Sequence, residues 1–452
     1  MTPWIFLHDP LEYWLDDYPR IFDAWHEGGV RGIAVGYMRF RGDGDAPVRT
    51  FAPDPAVYES WGVTPPADAP RDPAKEKKLQ ALLDNAAERG WHILIFSVPE
   101  VGGSRPASED PYGATGTGAA VQALATAFPQ IDGVIFDGPG EKHYELAFHH
   151  GGELLETRQH ERALYGNLGL DLDRMERGIA HLRQRLHQLR PGQVRFWAPG
   201  GALAGLHLLD LNEDALYWLR GRRQASLGWM AALRQQFDRA DDALGRKIEL
   251  CGIPRTSAFA SLTCQDYEEM GRLFDLVFPK HYFWHRGFDG LYGTVARWVQ
   301  TLQSWNPSLS EADCFAVVAN LLGIHLPGVS SLLDMERGFP DAFFDEVVQG
   351  ETRRALEAVG DAERTVAWVS TGRAPHSGDA MPSGDLFRLL EASSRAGLQR
   401  FLFHPDPDLG VAEWRVLSHF CGKLYEEDLD GYWPADTPRL DSFSGGRKPG
   451  DA

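Results

Sequence analysis

Short apolar runs rich in β-branched and aromatic residues alternate with helical patterns along most of the chain, and this alternation restricts the fold more than any other feature. Such a rhythm is typical of βαβ units, which build parallel sheets. Nine runs are candidate strands: 4–7, 32–36, 92–98, 133–137, 194–197, 248–251, 276–283, 365–369 and 401–404. The helical patterns lie at about 11–27, 75–89, 117–127, 172–189, 213–243, 265–273, 290–304, 340–358, 384–396 and 411–424.

Nine candidate strands are one more than a (β/α)8 barrel holds, and this closed parallel barrel is the fold that we predict. We leave out the run Val194–Trp197, because it lies inside the long segment between Asp137 and Ile248. An open doubly wound sheet is the alternative, but no strand is followed by a glycine-rich phosphate-binding motif. The sequence therefore predicts an α/β TIM barrel with long insertions in its βα loops.

The predicted domain organisation is a single catalytic barrel domain that spans residues 1–440. Long connections in a compact domain are usually functional or mobile. The insertions are expected at about 39–74, 138–245 and 284–364. Residues 441–452 contain two adjacent glycines and a Lys-Pro-Gly sequence, and we expect them to form a disordered tail.

The charge balance limits the partners of the protein. Its 45 basic and 64 acidic residues give a net charge of −19 without a basic block, so we predict no nucleic-acid partner, whereas neutral or cationic small molecules remain compatible. Four cysteines without C-x-x-C spacing argue against a disulfide framework and a structural zinc site. No apolar run reaches the length of a membrane span, and the N-terminus lacks a basic leader, so we expect a cytoplasmic protein without a membrane partner.

The segment Asp132–Glu145 combines a buried-strand pattern with ionisable groups at its end. The apolar run Val134–Phe136 is soon followed by a Gly-Pro-Gly break, so Asp137 and Glu141 lie where a strand opens into a loop. Parallel α/β proteins carry their catalytic groups at that end of the strands. The structural alternative is that Asp137 caps a turn or the next helix.

Polar and aromatic residues also follow most of the other candidate strands, and a barrel would bring them to one rim suited to a polar, hydroxylated ligand. Lys280 is the most informative, because a lysine among aromatic residues should have a carboxylate partner, a ligand or a covalent role. A single histidine at a strand end is more often structural. Tyr37, Tyr282 and Trp284 offer stacking faces. The candidate substrate-binding residues are His8, Asp9, Tyr37, Glu100, Tyr144, Glu145, Arg255, Lys280, His281, Tyr282, Trp284, Arg373, His376 and His404.

Three motifs carry a resemblance to known proteins. They are D-G-V-I-F-D-G-P-G-E from Asp132, F-P-K-H-Y-F-W-H-R-G from Phe278 and R-x-P-H-x-G-D from Arg373. In this order they resemble a broad group of bacterial TIM-barrel proteins related to glycoside hydrolases, which includes glycosyl-hydrolase-like families of unassigned activity. The resemblance implies hydrolysis of a small-molecule carbohydrate substrate, and we expect no cofactor.

Glycoside hydrolysis requires two carboxylates that flank the scissile bond. By analogy with retaining barrel glycosidases, Glu141 or Glu145 fits the acid/base position after strand four. A nucleophile from a later strand has no direct match, since Asp379 lies ten residues beyond Val369. Other barrel glycosidases carry an Asp nucleophile at the end of strand four, where Asp137 lies. We predict Asp137 with Glu141 as the catalytic pair and Asp379 as the reserve.

Three other functions stay open on the sequence alone. A lyase or aldolase would use Lys280 as a Schiff-base nucleophile, activated by its apolar neighbours. A metal-dependent hydrolase or isomerase would use His8, Asp9, His281 and His404, although H-x-H and H-E-x-x-H motifs are absent. A non-catalytic carbohydrate-binding barrel would hold a sugar at the same rim without turning it over.

Overall fold

The centre of the molecule is a barrel of eight parallel strands. The structure is a computed structural model that describes residues 1–7, 10–42, 48–99, 101–281, 288–370, 383–404 and 411–422. Numbered in chain order, the barrel strands are β1 (Thr2–Leu7), β2 (Gly32–Val35), β3 (His92–Phe96), β4 (Gly133–Asp137), β5 (Glu249–Ile253), β6 (Leu276–Val277), β7 (Val366–Ser370) and β8 (Arg400–His404).

The strands follow one another around the barrel in chain order. Hydrogen-bonded neighbours run from β6 through β5, β4, β3, β2 and β1 to β8 and β7. β6 and β7 then meet through parallel bridges that pair Val277 with Thr365 and Lys280 with Trp368, and the Trp368 amide donates to the Pro279 carbonyl over 2.9 Å. This seam closes the sheet and removes its free edges. The predicted (β/α)8 barrel is confirmed.

Helices surround the barrel and fill its insertions. They are α1 (Tyr18–Glu27), α2 (Pro55–Trp61), α3 (Pro73–Glu88), α4 (Thr115–Ala127), α5 (Gln159–Asn167), α6 (Leu172–Leu186), α7 (Pro191–Trp197), α8 (Gly201–Leu209), α9 (Glu213–Leu244), α10 (Ala260–Thr263), α11 (Tyr267–Leu273), α12 (Leu291–Trp305), α13 (Glu311–Leu322), α14 (Gln349–Val359), α15 (Ser383–Arg395) and α16 (Val411–Cys421). A π-helix over Phe343–Val348 leads into α14. No helix in these ranges is long and apolar enough to cross a membrane.

The outer helices pack on the barrel through one apolar face each. In α1, Ile21, Phe22 and Trp25 are fully buried in the main core between helices and sheet. α9 begins where the Asn212 side chain accepts a hydrogen bond from the third helical amide, and it ends at Gly245, whose φ of 65° suits glycine. Each fully buried large apolar side chain contributes about 1.5–3 kcal/mol, so this layer supplies much of the stability.

A second, smaller core fills the inside of the barrel, because alternate residues of a strand point inward. Its members are Trp4, Phe6, Ala34, Leu94, Phe96, Ile135, Cys251, Ile253, Leu276, Phe278, Val366, Trp368 and Leu402. Where the strands begin, Trp4 stacks on His92 with ring centroids 4.8 Å apart, and His92 Nε2 lies 2.7 Å from Glu249 Oε2. Side chains therefore fill the end of the barrel opposite the predicted site.

The run Val194–Trp197 belongs to α7 and lies outside the barrel, as we expected. Its β-rich composition suggested a strand, but Pro191 at the first helical position favours a helix start. The expected insertion at 138–245 contains α5 to α9. The domain limits stay a prediction, and the expected tail at 441–452 lies outside the described residues.

Candidate active site

Four polar side chains lie at the carboxyl end of the barrel, each two residues beyond an inward-facing apolar residue. The inward apolar residues are Ile135, Ile253, Phe278 and Leu402. The polar residues that follow them are Asp137, Arg255, Lys280 and His404. Since side chains alternate across a strand, the same pattern that fills the barrel also directs these groups to its mouth.

Asp137 and Lys280 form an ion pair across the mouth, from the ends of β4 and β6. Lys280 Nζ lies 2.7 Å from Asp137 Oδ1; the lysine side chain is 4% exposed and the aspartate side chain 53%. The pair therefore presents its carboxylate to solvent and keeps its ammonium inside. The protein around it would raise the pKa of Asp137, but the charges of Lys280 and Arg255 outweigh this and hold the pKa below its usual range. Asp137 is thus ionised at neutral pH.

Glu141 folds back over the same turn. The Glu141 amide donates to the Gly138 carbonyl over 3.0 Å, and Gly138 has a φ of 59°. A β-carbon at Gly138 would lie 2.7 Å from Glu141 Oε2, so the carboxylate occupies the space that a side chain would need. Arg255 Nε faces Oε1 and Oε2 of Glu141 at 3.2 and 3.3 Å. The glycine therefore brings Glu141 next to the end of β4.

Arg255 is shared with a third carboxylate, which belongs to Asp289. Nη1 of Arg255 donates to Asp289 Oδ1 over 2.9 Å, and the amide of Thr256 donates to Asp289 Oδ2 over 2.7 Å. Glu351 holds the same loop, since its Oε2 accepts from Thr256 Oγ1 at 2.9 Å and from the Ala258 amide at 2.6 Å. Two buried carboxylates from the segment between β6 and β7 thus fix the loop after β5.

Aromatic rings form the other side of the mouth. Phe6 lies 4.6 Å from the His404 ring and 5.3 Å from Trp368, measured between ring centroids. Phe96 packs on Trp368 at 5.5 Å and meets Tyr37 edge-on at 5.2 Å. Tyr37 is 46% exposed. We call these rings the aromatic floor; Phe6, Phe96 and Trp368 are buried, and Tyr37 is the exposed ring among them.

Tyr144 and Glu145 lie behind the site. Tyr144 is buried beneath Arg255, whose guanidinium carbon lies 5.3 Å from the ring centroid, and burial raises the pKa of the phenol well above its usual range. Glu145 is 1% exposed; its Oε1 accepts from Thr294 Oγ1 at 3.0 Å and from Arg297 Nε at 3.1 Å. Both residues therefore join the loop after β4 to its neighbours, and we assign them a supporting role.

His281 is buried beside Lys280. It is 1% exposed, its ring lies 4.9 Å from that of Phe288, and burial lowers its pKa to about 3. Among the described residues, no group of three or more His, Cys, Asp or Glu side chains is arranged to hold a metal ion. The remaining predicted site residues lie outside the described part of the chain: His8, Asp9, Glu100, Tyr282, Trp284, Arg373, His376 and Asp379.

Asp289 was not among the predicted residues, and neither were Thr256 and Glu351 of the supporting loop contacts, nor Phe6, Phe96 and Trp368 of the aromatic floor. An Asp-Gly pair at 289–290 is a turn signal, but nothing in the sequence connects it with Arg255, 34 residues earlier. By contrast, the aromatic floor was accessible from the sequence, because Phe6 and Phe96 have the inward parity of their strands.

Comparisons with known proteins concern the fold alone. No protein-family model matches the chain, and no curated protein matches it. Similar solved structures include the PgaB (BpsB) glycoside hydrolase domain from Bordetella bronchiseptica, with a TM-score of 0.44, 11% identity and coverage of 90% of this chain and 94% of that one. A GH18 chitinase from Pseudoalteromonas aurantia has a TM-score of 0.39 and 9% identity, with coverage of 94% of this chain and 100% of that one. GH5_18 from Streptomyces cattleya in complex with GlcNAc has a TM-score of 0.42 and 12% identity, with coverage of 97% of this chain and 81% of that one.

Proposed function

We propose that the protein is a glycoside hydrolase whose catalytic carboxylates are Asp137 and Glu141. The observation that carries this proposal is the ionised, half-exposed Asp137 carboxylate at the barrel mouth, with Glu141 folded onto the adjoining turn. Glycoside hydrolysis uses one ionised carboxylate and one that gives a proton to the leaving oxygen. The glycosidic C–O bond breaks as that proton is transferred, and water supplies the hydroxyl group of the new sugar end.

Asp137 suits the ionised role. Lys280 holds its charge at 2.7 Å while the carboxylate stays accessible to a ligand, so it can attack the anomeric carbon or take a proton from water. A buried ammonium beneath an exposed carboxylate also fixes where the carboxylate points. Both consequences follow from one ion pair.

Glu141 suits the role of proton donor, because it is the carboxylate of the three that is least firmly bound to a cation. One N–H of Arg255 is shared between its two oxygens at 3.2 and 3.3 Å, whereas Asp289 has its own N–H at 2.9 Å. Among the described residues, the carboxylates of Asp137, Glu141 and Asp289 lie with the two cations Lys280 and Arg255.

The exposed ring of Tyr37 supports a carbohydrate as the ligand. Sugar rings have apolar C–H faces that pack on aromatic rings, and Tyr37 is exposed beside Phe96 at the mouth. The described cluster also carries more carboxylates than cations, which favours neutral or cationic sugars over acidic ones.

The contacts of Lys280 count against a Schiff-base function. Its side chain is 4% exposed, and the amine lies 2.7 Å from a carboxylate that favours the protonated ammonium. A carbonyl substrate entering the mouth would meet Asp137 before it met the amine. A borohydride-trapped adduct on Lys280 would reverse this preference.

The direct experiment is hydrolysis of a panel of nitrophenyl glycosides, α- and β-linked, by the wild type and three variants. We expect turnover of at least one glycoside, with losses of about 10²–10⁴-fold in Asp137→Asn. Asp132→Asn is the matched control, because Asp132 lies at the other end of β4 and accepts a hydrogen bond from the Ile93 amide. Glu141→Gln completes the set. Unaltered hydrolysis in both Asp137→Asn and Glu141→Gln would contradict the assignment, and binding of sugars without turnover would favour a carbohydrate-binding barrel.

A further inference from the structure

Asp289 is a carboxylate that the fold holds in an unfavourable place. Its side chain is fully buried, and its backbone φ of 49° lies in the left-handed region, which a non-glycine residue adopts at a cost. Strained backbone and buried charge persist where surrounding contacts require them. The contacts of this carboxylate therefore indicate what it is retained for.

Both oxygens of Asp289 act as acceptors. Burial raises the pKa of this carboxyl above its usual range, and the charges of Arg255 and Lys280 act against that shift. Oδ1 accepts from Arg255 Nη1 at 2.9 Å, and Oδ2 accepts from the Thr256 amide at 2.7 Å. The Nε of the same guanidinium faces Glu141 at 3.2 and 3.3 Å. One cation thus lies between a buried carboxylate and a partly exposed one.

We propose that Asp289 is a positioning residue: it divides the charge of Arg255 between two carboxylates and so leaves Glu141 able to carry the proton for the leaving group. This inference rests on the proposed function. With Asp289 in place, part of the attraction of Arg255 is offset on the side away from Glu141. Without it, more of the charge of Arg255 would act on Glu141 and favour its ionised form.

Other charged and titratable groups surround the pair. On the β4 and β6 side lie Asp137 and Lys280, and the charge of Lys280 also acts on Asp289. Tyr144 packs under the guanidinium, and Tyr267 donates its hydroxyl to the Arg255 carbonyl over 2.5 Å. Behind them, Arg354 pairs with Glu351 at 2.5 Å. Among the described residues, the groups that meet the guanidinium of Arg255 include the two carboxylates and the Tyr144 ring.

Glu351 provides a matched comparison within the same loop. Like Asp289, it is buried and accepts a backbone hydrogen bond from the loop after β5, but its described bonds go to Thr256, Ala258 and Arg354 rather than to Arg255. Glu351→Gln weakens the support of that loop and leaves the charges on Arg255 unchanged. A purely structural role of Asp289 predicts that Asp289→Asn and Glu351→Gln behave alike.

The test measures the ionisation of Glu141 in two independent ways. The first is the pH dependence of kcat/KM for a glycoside with a poor leaving group, whose alkaline limb reports the proton donor. The second is a ¹³C NMR titration of the Glu141 carboxyl, assigned by comparison with Glu141→Gln, which requires no catalytic activity. Asp289→Gly replaces Asp289→Asn if the latter does not fold, since glycine accepts the φ of 49°.

We expect Asp289→Asn to move the alkaline limb of kcat/KM to lower pH, with a loss of about tenfold in kcat/KM on that limb, because a negative charge at short range is removed. Glu351→Gln weakens the loop and can lower the size of kcat/KM, but it should leave the pH of the alkaline limb and of the Glu141 titration as in the wild type. An unshifted Glu141 titration in Asp289→Asn, or equal shifts in both variants, would overturn the positioning role. Absence of hydrolysis in the wild type would instead contradict the proposed function, and the NMR titration would still decide the role of Asp289.

Discussion

Asp137 and Lys280 differ in exposure, and this difference decides how much their ion pair contributes to the free energy of unfolding. A fully buried pair that loses one partner typically costs about 3–5 kcal/mol, whereas exposed pairs contribute about 0–1 kcal/mol. With Asp137 53% exposed and Lys280 4% exposed, the pair lies between these limits. Its main effect is on ionisation and orientation at the barrel mouth.

Removing the aspartate charge should therefore destabilise the protein moderately. We expect Asp137→Asn to lower the free energy of unfolding by about 1–2 kcal/mol, because the shielded ammonium of Lys280 loses this partner. The double variant Asp137→Asn/Lys280→Met should recover most of that loss, since a methionine is buried at lower cost than an ammonium. Chemical denaturation of the four proteins in this cycle measures the coupling; a double variant as unstable as the sum of the two single ones would contradict it.

The pH dependence of stability and of kcat/KM should report the ion pair between Asp137 and Lys280. Lys280 lowers the pKa of Asp137, so its contribution to stability is present above the unfolded-state pKa of about 3.9 and is lost as the pH falls through the lower folded-state value. In Lys280→Met the pKa of Asp137 should rise, and the acid limb of kcat/KM should move to higher pH. Lys247→Met is the control, because the Lys247 ammonium pairs with Asp275, away from the mouth. An acid limb that stays in place in Lys280→Met would contradict the role of the ion pair.

At the level of single elements, β4 depends on a glycine for its approach to β5. A β-carbon at Gly133 would lie 2.5 Å from the Glu249 carbonyl oxygen. We expect Gly133→Val to destabilise the protein by about 1–3 kcal/mol, as overpacking does, and to lower activity by displacing Asp137 at the other end of the strand. Thermal unfolding and turnover measure the two effects.

A glycine with free space provides the control for that change. Gly166 lies in α5 with no atom within 4 Å of a potential β-carbon. Gly166→Ala should stabilise the protein by about 0.4–1 kcal/mol through the unfolded chain and the helix propensity of alanine. A Gly133→Val variant as stable as the wild type would mean that β4 and β5 are not held as closely as the structure indicates.

Elements of strong periodicity were predictable from the sequence, and contacts between distant segments were not. The strand patterns ending at Asp137 and His404 predicted the barrel and its polar rim. Side chains alternate along a strand, so the sequence position alone decides which residues point inward. Val194–Trp197 has the composition of a strand, and only its proline neighbour favours the helix that forms. The pairing of Arg255 with Asp289 depends on how a long loop returns to the barrel, which local pattern does not determine.

For the molecule as a whole, β6 is held by short ladders on both sides, with two paired positions toward β5 and two bridges toward β7. β6 contains two residues, and the seam includes the hydrogen bonds that join His281 and Trp368, and Trp368 and Pro279, each at 2.9 Å. β1, by contrast, pairs at four positions with each neighbour. Short ladders open at lower free energy, so the amides of His281 and Trp368 should exchange hydrogen faster than those of β1. Equal protection in hydrogen-exchange mass spectrometry would contradict a weak seam.

The most direct measurement of the catalytic assignment compares kcat/KM for one sugar carried on two leaving groups, dinitrophenol and an alkyl alcohol, in the wild type, Asp137→Asn and Glu141→Gln. Loss of the proton donor harms only substrates whose leaving group needs a proton. We therefore expect Glu141→Gln to retain most activity on the dinitrophenyl glycoside and to lose it on the alkyl glycoside, while Asp137→Asn loses both. Equal losses of Glu141→Gln on the two substrates, or an active Asp137→Asn, would contradict the pair at the barrel mouth.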